Sequence, residues 1–298
     1  MNENLFNKLY GFDDYFLKLN LLLKKDQFPK CLLLSGKKGC GKFTFIQHLL
    51  ANFFDTKNYD IKKKIISENN ILYNLKNSNY ENILYFCGLN NIKIDQIRDL
   101  RDLLQKSTLN NKKRFIILDN IELFNTNCLN ALLKSIEEPN IFNNFILINN
   151  KKLPIIETIK SRSIEIKLFL NRDENNFIIE NIIKDRNLKN NFDFIEPSLT
   201  PGDFIVFNQI CSENNVNINE KLIDNISMLL KLFKQTKDSK YIDFSIFLVS
   251  QYYYKLTKLN SLDANLFEKR SFVIKKIYDF KKLNLNLNNL FLDIKQHI

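Results

Sequence analysis

The chain has 298 residues, 45% hydrophobic and 26% charged, with a formal net charge of +11; it is long enough for two or three buried cores and reads as an ordinary soluble globular protein. No run of eighteen apolar residues occurs and MNENLFNKLY lacks a signal-peptide layout, so neither a membrane span nor export is expected. Two histidines, His48 and His297, and five scattered cysteines without C-x-x-C spacing argue against histidine or zinc-knuckle chemistry and for reduced thiols in a cytoplasm.

The excess of Lys and Arg invites a nucleic-acid reading through release of phosphate counterions. However, Lys, Asn, Ile and Phe are abundant together, while Trp is absent and Gly and Pro are scarce. An AT-rich coding sequence produces that bias whatever the function, and charge bears on partners only where it is spatially concentrated.

Leu9 to Lys25 carries a helical pattern, with Phe12, Phe16, Leu19, Leu22 and Leu23 largely on one side and Asp13 and Asp14 in the first turn. Cys31 to Ser35 reads as a buried strand and leads into Gly36-Lys37-Lys38-Gly39-Cys40-Gly41-Lys42. This is a G-x-x-x-x-G-K loop, whose backbone N–H groups wrap a phosphate while the lysine reaches its oxygens. Phe45, Ile46, Leu49 and Leu50 follow in helical register, so the loop lies between strand and helix, as the motif requires. Gly36, Gly39, Gly41, Lys42 and Thr44 are therefore candidate nucleotide-binding residues. The residue after Lys42, where a Ser or Thr would meet Mg²⁺, is Phe43, which offers a hard cation no oxygen. Thr44 lies about 100° further round the helix and does not simply replace it.

Residues 55–82 are polar, rich in lysine and asparagine and weakly periodic, and read as a helix plus a mobile loop. Asn82 to Cys87 reads as a strand, and a helix is expected from Asp95 with Ile97, Leu100, Leu103 and Leu104 on its apolar side. Phe115 to Leu118 is an apolar run bounded by Lys113, Arg114 and Asp119, hence a strand buried on both faces with Asp119 at its tip. Ligands of open α/β sheets bind beyond such tips. Asn125 or Thr126 caps the next helix, Leu129, Leu132, Leu133 and Ile136 fall at helical spacing, and Pro139 stops it. Phe145 to Ile148 is a further strand ending at Asn149-Asn150, Ile164 to Leu168 closes the sheet, and Asn171 to Arg186 opens a helical segment. Beyond Ser212 no motif is found; Leu222–Phe233, Ile242–Leu259 and Leu266–Phe280 read as three or more packed helices. An internal core is the simplest use for most of the aromatics Phe244, Phe247 and Tyr252 to Tyr254.

The string Asn130-Ala131-Leu132-Leu133-Lys134, with Glu137-Glu138-Pro139 after it and the acidic strand end before it, resembles the Walker B region of clamp-loader AAA+ subunits, most of all the delta′ subunits of bacterial DNA polymerase III. With the weaker motifs Ile92–Leu100 and Leu153–Ser163, the resemblance runs from about Leu9 to about Ile205. It implies an α/β AAA+ P-loop core with a parallel sheet over 1–168, a small helical lid over 169–212 and an all-α collar for oligomerisation over 213–298. In that family the first helix lies beside the nucleotide base, Asp119 stands at the magnesium-orienting position, and Asn149-Asn150 matches the position where a polar side chain contacts the γ-phosphate, with Asn149 the candidate binding residue. Arg162, in Ser161-Arg162-Ser163, matches the arginine that projects toward ATP bound by the neighbouring subunit. Many relatives insert a four-cysteine zinc module where residues 55–82 hold no cysteine, so no zinc and no other metal site is expected.

Three departures speak against catalysis. Phe43 is the first. Asn120 stands where hydrolysing relatives carry the glutamate that activates water, although by itself it reads equally as a turn former. Asp203, within Leu199–Ile205, takes a lid position often held by a basic residue, and would repel a γ-phosphate. The resemblance thus implies a largely non-hydrolysing subunit that donates Arg162 in trans, holds ATP or ADP weakly, and helps load the sliding clamp on primed DNA with gamma/tau motor subunits and delta. An active motor subunit of the gamma/tau type is the alternative, and a DNA-binding module acting alone rests on charge only.

Overall fold

Apolar runs without alternation make strands covered on both faces, and such runs form the sheet here. The computed structural model describes residues 7–66, 82–90, 92–106, 112–192, 199–218, 220–259, 264–283 and 285–297. Its elements begin with α1 (Asp13–Lys24), β1 (Cys31–Ser35), α2 (Lys42–Phe54), a short hairpin of β2 (Tyr59–Asp60) and β3 (Ile65–Ile66), β4 (Ile83–Cys87) and α3 (Ile94–Gln105). They continue with β5 (Arg114–Asp119), α4 (Thr126–Glu137), β6 (Asn143–Asn149), α5 (Glu157–Lys160) and β7 (Ile164–Lys167). The remaining helices are α6 (Arg172–Asp185), α7 (Pro201–Asn214), α8 (Leu222–Thr236), α9 (Lys240–Leu259), α10 (Ala264–Leu283) and α11 (Leu287–Lys295). Most of the stretch expected to be a helix and loop, residues 67–81, lies outside the described residues. Its start is the β2–β3 hairpin, which two-residue strands leave no periodicity to announce.

The chain parts into two units, Met1–Glu174 and Asn175–Ile298. In the first, the strands run in the order β4-β5-β6-β1-β7, and all neighbours are parallel. Strand pleating then divides the apolar residues between two layers. Leu32, Leu34, Ile117 and Ile146 pack with Phe16, Phe45 and Leu49 of α1 and α2, whereas Leu33, Ile116, Leu118 and Leu147 pack with Leu100 of α3 and Leu129 and Leu132 of α4. Ser35 registers with Asn149 and Asp119 with Ile148, so the carboxyl ends of β1, β5 and β6 open side by side. Helix α4 starts where Asn125 Oδ1 accepts the Cys128 N–H at 2.8 Å, and it runs down the sheet to end at Glu137, two residues before Pro139.

The second unit is helical among its described residues. Phe192, Phe204 and Phe207 share one core with Phe244, Phe247 and Tyr253 of α9, and the Phe207 and Phe244 rings stack at 4.6 Å. Tyr252 and Tyr254 are half-buried. At the start of α7 the Thr200 hydroxyl donates to the Asp203 carboxylate at 2.8 Å and accepts the Asp203 N–H at 3.2 Å. Asp203 thus serves as the acid of a helix cap, where the dipole favours negative charge. No helix among the described residues is long and apolar enough to cross a membrane.

Candidate functional site

The loop between β1 and α2 has the shape its glycines predict. A Cβ at Gly36 would lie 2.4 Å from the Leu168 carbonyl oxygen, and Gly41 has φ +99°, a region that side chains rarely enter. Gly39 is likewise at positive φ. Lys42, 3% exposed, donates from Nζ to the carbonyls of Gly36 at 2.8 Å and Lys37 at 2.7 Å. Burial lowers the pKa of its ammonium, an effect opposed in part by the Cys40 sulfur at 3.7 Å and then by the nearby Asp119 and Glu122. Glycines that let backbone N–H groups close in, with a buried lysine at the loop's end, fit a phosphate.

The same fit fails for Mg²⁺. The Phe43 ring packs on Tyr85 of β4, centroids 5.1 Å apart, and the Tyr85 hydroxyl donates to Asp119 Oδ2 at 3.0 Å. Burial first, then the Asp119 charge, pushes the phenol's pKa up, so it stays a donor. Asp119 Oδ1 accepts the Asn120 N–H at 2.7 Å and an N–H of the Asn150 amide at 3.4 Å. Both Asp119 carboxylate oxygens thus already accept hydrogen bonds. Thr44 is half-buried in the first turn of α2. Among the described residues no group of three or more His, Cys, Asp or Glu is placed to hold a metal.

Burial raises the Asp119 pKa above its ordinary value, against the pull of the Tyr85, Asn120 and Asn150 hydrogen bonds and of Lys42. An acid with a raised folded pKa costs the fold stability once ionised; the cost is absent below the unfolded pKa and complete above the folded one. Asp119→Asn is therefore expected to raise the urea midpoint near neutral pH and to leave it almost unchanged near pH 3. Equal effects at both pH values would contradict this linkage.

Asn120 sits with φ 52° and ψ 48°, a left-handed conformation that asparagine tolerates better than glutamate. Its amide donates to Cys87 Sγ at 3.5 Å and accepts from Asn150 Nδ2 at 3.0 Å. Asn149, the polar residue expected at the γ-phosphate, is turned to Ser35, donating to its Oγ at 3.3 Å, while its carbonyl receives the Gly36 N–H at 3.2 Å. It is Asn150 that bridges Asp119 and Asn120. Glu122, two residues beyond Asn120, is 7% exposed; Oε1 accepts the Asn150 N–H at 3.1 Å and Oε2 has no partner among the described residues.

The structure does not bring Arg162 to this crevice. Arg162 precedes β7, whose first residue, Ile164, registers with Leu32 near the amino end of β1, whereas Lys167 registers with Ser35. Ser163 to Leu168 spans roughly 16 Å at about 3.3 Å per extended residue, and the Leu168 carbonyl lies against Gly36. The guanidinium instead bonds to the Glu137 carboxylate through Nε, and to the Thr158 carbonyl at 3.0 Å and Ser161 Oγ at 3.3 Å through Nη1. Tyr85, Glu122 and Glu137 are thus residues without a role in the sequence reading, which has Asn150 only as the second residue of the Asn149-Asn150 pair. The pairing register of β4 with β5, which sets Cys87 against Asp119 and Tyr85 two residues back, is the signal that finds Tyr85.

Comparison with known proteins agrees with this fold. The family model described as "DNA polymerase III, delta subunit" matches residues 13–171. DNA polymerase III subunit delta′ of Pseudomonas aeruginosa is 35% identical over 74 residues, 25% of this chain and 23% of that protein. DNA polymerase III subunit gamma of Buchnera aphidicola is 28% identical over 145 residues, 49% of this chain and 40% of that protein. The chain spans less than half the length of these curated relatives. A gamma-subunit-related protein of Thermotoga maritima shares the fold at a TM-score of 0.51 and 15% identity, over 95% of this chain and 99% of that one. The parallel sheet, glycine loop and helical second half make the fold AAA+, and with the family model matching more than half of its residues, the chain belongs to the DNA polymerase III delta-subunit family of clamp-loader proteins.

Proposed function

We propose that this chain is a delta′-type subunit of the DNA polymerase III clamp loader, an AAA+ scaffold that turns over little or no ATP and offers Arg162 to the ATP site of a neighbouring subunit. The observation that carries this reading is the placement of Arg162 at the amino end of β7, a strand's length from its own glycine loop. An arginine that cannot serve its own crevice serves best across an interface. The Phe43–Tyr85–Asp119 contacts and the amide at Asn120 support a crevice without metal or base. In this reading the partners are gamma/tau motor subunits and delta, with the sliding clamp and primed DNA reached through the complex, in a cytoplasm. Residues 1–168 are the core, 169–212 the lid and 213–298 the oligomerising collar.

A second reading, an active motor of the gamma/tau type, is favoured by the intact loop at Gly36, Gly39, Gly41 and Lys42 and by the gamma relatives. Reconstitution decides between them. Added to delta and gamma/tau, the chain is expected to enter a stoichiometric complex and to be required for DNA-dependent clamp loading; a complex that assembles and loads equally well without it would remove the proposal.

The loop retains a phosphate cradle while Phe43 gives Mg²⁺ no ligand. ADP is accordingly expected to bind weakly, with equal affinity in magnesium and in a chelator, by equilibrium titration of a labelled nucleotide. Tight binding that disappears with the chelator would contradict it.

A further inference from the structure

We infer that Glu137 is a positioning residue for Arg162, an inference that rests on the trans reading above. Glu137 is the last residue of α4, a helix fixed to the sheet by the buried Leu132 and Ile136. Arg162 follows α5 and lies 25 residues away in sequence. The Glu137 carboxylate takes the guanidinium at Nε, and the Thr158 carbonyl and Ser161 Oγ take it at Nη1. A planar fork gripped from two elements has its orientation set, while Nη2 has no partner among the described residues and is free to meet a phosphate oxygen.

A stabilising role explains this pair poorly. Arg162 and Glu137 side chains are 35% and 40% exposed, and ion pairs that open to water contribute little to folding. The pairing is also selective, because Glu138, next to Glu137, makes no ion pair among the described residues. What the contact does change is the number of rotamers open to a long, exposed side chain. An arginine already held in one of them needs less ordering when a neighbour's phosphate arrives, and correct placement is worth large factors in rate.

The test uses the loader reconstituted from this chain, delta and gamma/tau, with ATP turnover measured in the presence of clamp and primed DNA. Glu137→Ala is expected to lower the Arg162-dependent part of kcat several-fold while leaving KM for ATP and assembly unchanged. Glu137→Gln keeps an oxygen for the Nε–H and is expected to recover most of the rate. In an Arg162→Ala background, Glu137→Ala is expected to change nothing further, a result that a merely structural role would not give. Should Arg162→Ala lower turnover while Glu137→Ala does not, the inference falls and the trans reading stands. A rise in turnover with Glu137→Ala would make Glu137 a restraint on the arginine and overturn the inference. If Arg162→Ala itself has no effect, both fall together.

Discussion

Arg162→Ala is expected to leave the chain folded and able to assemble, while clamp- and DNA-stimulated ATP hydrolysis by the complete loader falls. A guanidinium delivered to a neighbour's γ-phosphate stabilises charge that develops during transfer, and such a finger is worth roughly 10³ to 10⁵ in rate at the site it serves. Several motor sites work in one complex, so the total loss is partial, and clamp loading suffers more than basal turnover. Folding is spared because the side chain is half-exposed and its partners, the Glu137 carboxylate, the Thr158 carbonyl and Ser161 Oγ, open to water. Lysine is expected to rescue poorly, since an ammonium has no planar fork to span two phosphate oxygens. Clamp loading at the unmodified rate by the Arg162→Ala complex would leave the chain a passive scaffold.

The isolated chain is expected to release no phosphate from ATP at a motor's rate, with or without DNA. A general base is worth about 10² to 10⁴ in rate, and the residue at its position is the amide of Asn120, held by Asn150 and Cys87. On the metal side Phe43 offers no oxygen, and the Tyr85 hydroxyl occupies Asp119 Oδ2. Tyr85→Phe alone is therefore expected to restore nothing, because Phe43 still supplies no oxygen. Turnover by the purified chain that vanishes with Lys42→Ala would sink the prediction.

How far the sequence carries depends on the range of each interaction. Strands β1, β5 and β6 were legible because burial on both faces writes an uninterrupted apolar run, and α4 because Asn125 and Pro139 mark its ends within the local chain. The glycine loop was legible for the same local reason. Tyr85 on Asp119 was not, because the contact depends on how β4 registers with β5, and nothing in either strand states that register. Glu122 was missed because a glutamate in a turn past a strand tip reads as solvated; only the fold of Asn150 over it shows the carboxylate to be buried. Arg162 was singled out by its resemblance to a family motif, but its anchor on Glu137 joins elements 25 residues apart and has no local signature. Asn149 and Asn150 were seen as a pair, and only the exit angle of β6 decides which of them turns to Asp119.

The separation of Arg162 from the glycine loop along β7 gives the chain a direction. A contact in which one chain's arginine end meets another's loop end joins unlike surfaces, and such contacts either close into a ring or run on as an open spiral. Every position along such an array needs a loop end that can use the arginine it receives. If, as proposed, the loop end cannot because Phe43 and Asn120 stand in it, a chain has nothing to gain from a donor on that side. In the proposed reading its place is the last one, with the arginine facing inward and the loop end facing no finger. In that reading an array with a last place is interrupted, and the interruption leaves an opening in its side.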